Sequence, residues 1–123
     1  MYAFLLQDWI TIRGAASTNV TQGESGWLDL APYQDLSIWF DVREVSGSTP
    51  QMVFETSPNK EDGLFQSMIV PFNITTSPSN PYRVPITTTQ TPVARYVRWR
   101  IVAPAGAWDA TFRILVSADA VGL

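Results

Sequence analysis

Apolar and polar residues alternate with a period of two along several stretches of the chain, most clearly Arg95 to Val102 (RYVRWRIV) and Ala110 to Ser117 (ATFRILVS). That period sends successive side chains to opposite faces of an extended strand, one face buried and one not. In the first stretch Val97, Trp99 and Ile101 share a face opposite Tyr96, Arg98 and Arg100. In the second, Phe112, Ile114 and Val116 oppose Thr111, Arg113 and Leu115. The same alternation over Leu36 to Val45 (LSIWFDVREV) turns Leu36, Ile38, Phe40 and Val42 inward. It leaves Trp39 beside Ser37, Asp41 and Arg43, a large aromatic on the polar face that calls for a covering loop or an interface.

Clusters of Gly, Pro, Ser, Asn and Thr at Gly23 to Gly26, Ser46 to Pro50, Ser57 to Gly63, Thr76 to Pro81, Thr89 to Pro92 and Ala103 to Gly106 set turns between these stretches. The spacing predicts strands over Trp9 to Arg13, Trp27 to Leu30, Leu36 to Val45, Gln51 to Thr56, Phe65 to Val70, Tyr82 to Ile86 and the two C-terminal stretches, with no capped helix. The expected fold is an all-β, jelly-roll-like antiparallel sandwich of about eight strands. At 123 residues it is one domain over 1–123. The loop from Ser46 to Pro50 is short enough to join its two strands as a hairpin. If the last two strands also paired, Trp99 would lie near Ile114 and Arg100 opposite Arg113. That repulsion needs an acid from Asp41, Glu44 or Glu55, or from an acidic partner; strands placed in opposite sheets would never meet.

The chain ends add two candidates. Tyr2 to Leu6 is an apolar run that serves either as the first strand or, within an N-terminal arm over residues 1–7, as a contact with a neighbouring subunit. A tail over residues 118–123 is the other. The run has no preceding basic region, and Gln7 and Asp8 interrupt it, so neither a secretory signal nor a membrane span is expected.

Composition narrows the function classes. Charged residues are 15% of the chain against about 25% in an average soluble domain. Either a Thr- and Ser-rich surface or coverage by a partner accounts for that. Eight Lys and Arg against eleven Asp and Glu give a net charge of −3, and the one dense basic group, Arg95, Arg98 and Arg100, is interrupted by apolar residues and makes no basic face, so nucleic-acid binding is not expected. The chain has no histidine and no cysteine. Disulfides, thiolate or Ser-His-Asp catalysis and Cys/His metal sites are therefore excluded. Carboxylate pairs remain as a catalytic option, but the acids fall at turns and on the polar faces of strands, so no enzyme activity, cofactor or metal is expected. Aromatics in loops are the natural place for a ligand platform. Trp27, Tyr33 and Trp108, with Asp109, have the chemistry to stack on sugar rings and hold hydroxyls. Trp108 has a second reading, as a plug for the open end of the sandwich.

The stretches TQGESGWLDLAPYQDLSIWFDVRE (Thr21 to Glu44), ETSPNKEDGLF (Glu55 to Phe65) and ARYVRWRIVAPAGAWDATFRILVSA (Ala94 to Ala118) resemble small all-β proteins among the structural genes of tailed bacteriophages and prophages. The resemblance implies a virion component of the head auxiliary or decoration type, assembled in the host cytoplasm. It implies binding to the major capsid protein or other virion proteins as a homo-oligomer, with no enzymatic step, nucleic acid or membrane. The partner-binding candidates in that setting are Tyr2, Phe4, Leu5, Leu6 and Trp39. The strand RYVRWRI is also similar to late strands of discoidin-like and carbohydrate-binding jelly rolls, whose role would fall to Trp27, Tyr33, Trp108 and Asp109.

Overall fold

The alternating stretches form two antiparallel sheets packed face to face in the computed structural model, which describes residues 2–76, 82–86 and 93–120. Ten strands are found among the described residues: Tyr2–Gly14 (β1), Val20–Thr21 (β2), Leu28–Asp29 (β3), Tyr33–Gly47 (β4), Gln51–Ser57 (β5), Gln66–Ser67 (β6), Phe72–Asn73 (β7), Tyr82–Ile86 (β8), Tyr96–Val102 (β9) and Trp108–Ala120 (β10). One sheet has the order β1-β10-β4-β8. The other has the order β2-β9-β5-β6, with β3 also on β9 and β7 also on β5. The expected sandwich is present, with more strands than anticipated because four of them are only two residues long.

The chain changes sheet after β1, β3, β4, β7, β8 and β9, as a jelly-roll-like sandwich requires. This overturns the expected hairpin after Val45, because β4 pairs with β10 and β8 whereas β5 pairs with β9, β6 and β7. Both strands have apolar faces that need the same interior, and they reach it from opposite sides. Gly47 makes the crossing possible: its φ of 80° suits glycine, and a Cβ there would collide with the Ala107 carbonyl. β9 and β10 also face one another across the core rather than along a ladder. The Trp99 and Phe112 rings meet perpendicularly with centroids 5.4 Å apart. Arg100 and Arg113 thus lie on the outer faces of different sheets, Arg100 bonded to Glu55 and Arg113 to Asp41.

Val97, Trp99, Ile101, Phe112, Ile114 and Val116 are all buried in one core. Phe40 sits centrally among Phe54, Phe72 and Phe112, with centroid distances of 5.5 to 6.4 Å. At one end of the sandwich Trp108 is buried against Gly14 and Gly47, its register partners. At the other end Tyr2 and Phe4 pack edge-on against Tyr33. Gln22 ties the two sheets together along one side. Its buried amide donates to the carbonyls of Leu6 (2.7 Å) and Gly26 (2.9 Å) and accepts from the Trp99 amide (3.3 Å).

Three expectations about extents need correction. β1 starts at Tyr2 rather than Trp9, so of the two readings of Tyr2 to Leu6 the first-strand one holds, and residues 2–7 form the N-terminal part of a strand paired with β10. The predicted strand Phe65 to Val70 shrinks to Gln66–Ser67, because Phe65 folds down over Arg98, Met68 joins the core and Val70 is left exposed. Ala118 to Ala120 belong to β10, while residues 121–123, like the turn clusters over 77–81 and 89–92, lie outside the described residues.

Candidate functional site

The outer face of the four-stranded sheet is built from rows of side chains running across strands. Register pairs Leu5 with Leu115, Leu115 with Trp39, and Trp39 with Arg83, so one row crosses β1, β10, β4 and β8. Leu5 is 48% exposed and Trp39 38%, with half-buried Leu115 between them. Directly opposed side chains on a sheet lie within about 5 Å at Cβ, so the three make one apolar strip. The next row along the strands is charged: the Arg113 guanidinium bonds Asp41 at 2.9 Å. Arg43, left unpaired in register by a shift between Glu44 and Val42, reaches over the Trp9 ring at 4.3 Å, and Arg113 lies 5.0 Å from it. Thr11 and Thr111 follow, with their hydroxyls 2.8 Å apart. An apolar strip with an aromatic anchor and a rim of paired charges and hydroxyls is the anatomy of a protein-binding patch.

The outer face of the other sheet is covered instead. Arg98, predicted to face solvent, is buried: it bonds Glu55 at 2.9 Å and also Asp62. The second carboxylate oxygen of Glu55 takes Arg100 at 3.0 Å. Phe65 lies over the Arg98 guanidinium at 3.9 Å and Trp27 at 5.1 Å, and the two rings meet edge to face at 4.7 Å. A charge removed from water is tolerable when its donors are satisfied and aromatic faces replace solvent. This cluster therefore pins the segments carrying Trp27 and Phe65 onto the sheet. A fourth pair, Asp29 with Arg95 at 2.9 Å, is half exposed. The Arg95 side-chain hydrogen bond holds the Asp29 carboxyl below its ordinary pKa, and Asp29 in turn raises that of Arg95.

Of the five partner-binding candidates, Leu5 and Trp39 come together on the exposed strip. Leu6 does not belong there, because it is buried in the core at 3% exposure. Phe4 is half-buried, and with the more exposed Tyr2 it turns toward Tyr33 because both share the register phase of the core residues Val116 and Ala118. The sugar-platform candidates do not converge. Trp108 is 2% exposed and acts as the plug. Trp27 packs on Phe65 and donates its indole N–H to the Gln22 carbonyl. Tyr33 starts β4 and Gly47, the register partner of Trp108, ends it, so β4's length of about 45 Å separates Tyr33 from Trp108 and Asp109. Missed from the sequence were Leu115 and Trp9, whose place on the strip and at its border depends on cross-strand register.

No helix among the described residues is long and apolar enough to cross a membrane. No protein-family model matches the chain, and no curated protein matches it. Among solved structures the chain is similar to one in the structure of infectious bursal disease virus, Gx strain, with a TM-score of 0.51 and 15% identity over 98% of this chain. This chain spans a third of that viral chain, 33% of its length. The likeness shows a shared β-sandwich architecture.

Proposed function

We propose that the chain is a non-enzymatic structural component of a virion, of the auxiliary or decoration type, which attaches to the head shell through the outer face of its four-stranded sheet. The exposed Leu5–Leu115–Trp39 strip carries the reading. It is an apolar, register-aligned row in which three large side chains lie side by side and two of them are exposed, and exposed contiguous apolar surface marks an interaction site. The sandwich likeness to a chain of a virus particle supports the virion setting. The paired acids favour a passive role: Glu55, Asp41, Asp29 and Asp62 are each held by an arginine, which leaves these carboxylates committed to structure. A patch of this size binds weakly in isolation, and many copies on a repeating shell convert weak contacts into stable attachment. Quantitative mass spectrometry of density-purified particles from the source lysate tests the proposal. Many copies per particle are expected, and absence of the chain from intact particles overturns the proposal.

A further inference from the structure

The sandwich has four sheet edges, and the fold treats them unequally. In the six-stranded sheet the edge segments β2, β3, β6 and β7 are two residues each. In the four-stranded sheet β8 is five residues long and contains Pro85, which has no N–H to offer. Short strands and proline are the usual protections of a sheet edge. The remaining edge, β1, is 13 residues long and contains no proline and no lysine. Its N-terminal half is interrupted: the register with β10 shifts between Leu5 and Gln7 and again between Gln7 and Ile10, and the Gln22 amide occupies the Leu6 carbonyl. From Ile10 to Gly14 the register is regular, and among the described residues β1 pairs with β10 alone.

We infer that this open stretch is a self-association site, where β1 of a second copy pairs antiparallel across a two-fold axis through Thr11. The charge within the stretch selects the orientation. Antiparallel pairing sets each Arg13 against the Trp9 ring of the other copy, whereas in-register parallel pairing would stack Arg13 on Arg13. Side-chain facing selects the register. With Thr11 opposite its twin, Trp9 faces the other copy's Arg13 on the outer side, and Ile10 faces the other copy's Ile12 on the inner side. Ile10 and Ile12 are half-buried against the core, and the pairing covers what a lone edge leaves open. The product is a continuous eight-stranded sheet with both Leu5–Leu115–Trp39 strips on one surface. The ladder buries little area, so the dimer is weak in solution. The inference stands on the edge alone and is independent of the virion role.

The absence of cysteine makes the test clean. Antiparallel partners have Cα atoms about 4.5–5.5 Å apart, inside the disulfide range. Thr11→Cys is therefore expected to form a disulfide-linked dimer on mild oxidation, and the wild-type chain is expected to sediment with a concentration-dependent mass rising toward twice the monomer. Thr111→Cys, one strand further in on the same face, would stand about 14 Å from its twin and is expected to stay monomeric under oxidation. Equal cross-linking of the two variants overturns the inference, and so does a monomer at every concentration. A dimer that cross-links through Leu5→Cys instead of Thr11→Cys also overturns it and assigns self-association to the outer face.

Discussion

Replacing Gly14 by alanine tests whether Trp108 is a structural plug. A Cβ built on Gly14 falls onto Cε2, Cζ2 and Nε1 of the Trp108 indole, a ring that is almost fully buried and therefore has no open direction in which to yield. Overpacking a filled site costs about 1–3 kcal/mol. Truncating Trp108 to alanine removes the ring and costs about 3–5 kcal/mol through lost burial and a residual cavity. If the Gly14 cost arises from collision with that ring, the two substitutions are not additive. In a Trp108→Ala background the added methyl has space, and Gly14→Ala should cost close to nothing there, a coupling of about 1–3 kcal/mol. Urea unfolding of the four members of the cycle, followed by circular dichroism, gives the free energies, with the denaturant slope expected to remain constant. Additive costs would refute the reasoning: Gly14 would then be needed for its backbone, and Trp108 would not fill the space it is assigned.

The remaining predictions concern the ion pairs and the exposed strip. Glu55→Gln should cost about 3–5 kcal/mol, because it leaves buried Arg98 and half-buried Arg100 without their shared carboxylate. Asp62→Asn should cost less than about 1 kcal/mol, since that partner of the same guanidinium is 81% exposed, and chemical denaturation compares the two. The contribution of Asp29 should be complete above about pH 4 and fade as pH falls through its lowered folded-state pKa. The depressed group binds its proton later than in the unfolded chain, so Asp29→Asn should flatten the acid limb of a stability–pH curve slightly. Leu5→Glu with Trp39→Glu should leave the melting temperature within a few degrees of wild type while abolishing occupancy on particles. Retained occupancy would remove the strip from the proposed attachment.

Period-two alternation was enough to identify the fold class and the inward set of β4, β9 and β10, because burial of one sheet face imposes that period directly. Sheet membership was not legible. A short loop after Val45 suits a hairpin and a crossover equally well as local chemistry, and the choice is made by apolar faces on β4 and β5 that meet across the core. The burial of Arg98 was hidden for a related reason. Alternation assigned it correctly to the outer face, but that face is covered by the segments carrying Trp27 and Phe65, both far earlier in the chain, and neither period nor composition reports what a loop folds onto. Trp39 announced itself in the sequence as an aromatic out of phase with its neighbours. Its companions Leu5 and Leu115 are ordinary leucines in sequence and become a strip only through the β1–β10–β4 register.

The two faces of the molecule carry similar residues to opposite ends. Each outer surface brings arginines, acids and a tryptophan side by side. Over the six-stranded sheet they are roofed by Trp27 and Phe65, which lock Arg98 and Glu55 into a closed network. Over the four-stranded sheet no described segment supplies such a roof, and Trp9, Arg43 and Arg113 stack among themselves beside a partly exposed apolar row. Among the described residues one face is roofed and the other is not, and the longest edge strand, β1, borders the unroofed face, so the capacity for contact is concentrated on one side. That asymmetry is what a molecule needs to lie flat on a surface while touching copies of itself laterally. The strip and the β1 edge share β1 but use different parts of it, Leu5 for the first and Ile10 to Gly14 for the second. Glutamate at Leu5 and Trp39 should therefore abolish attachment without altering the self-association measured for Thr11→Cys.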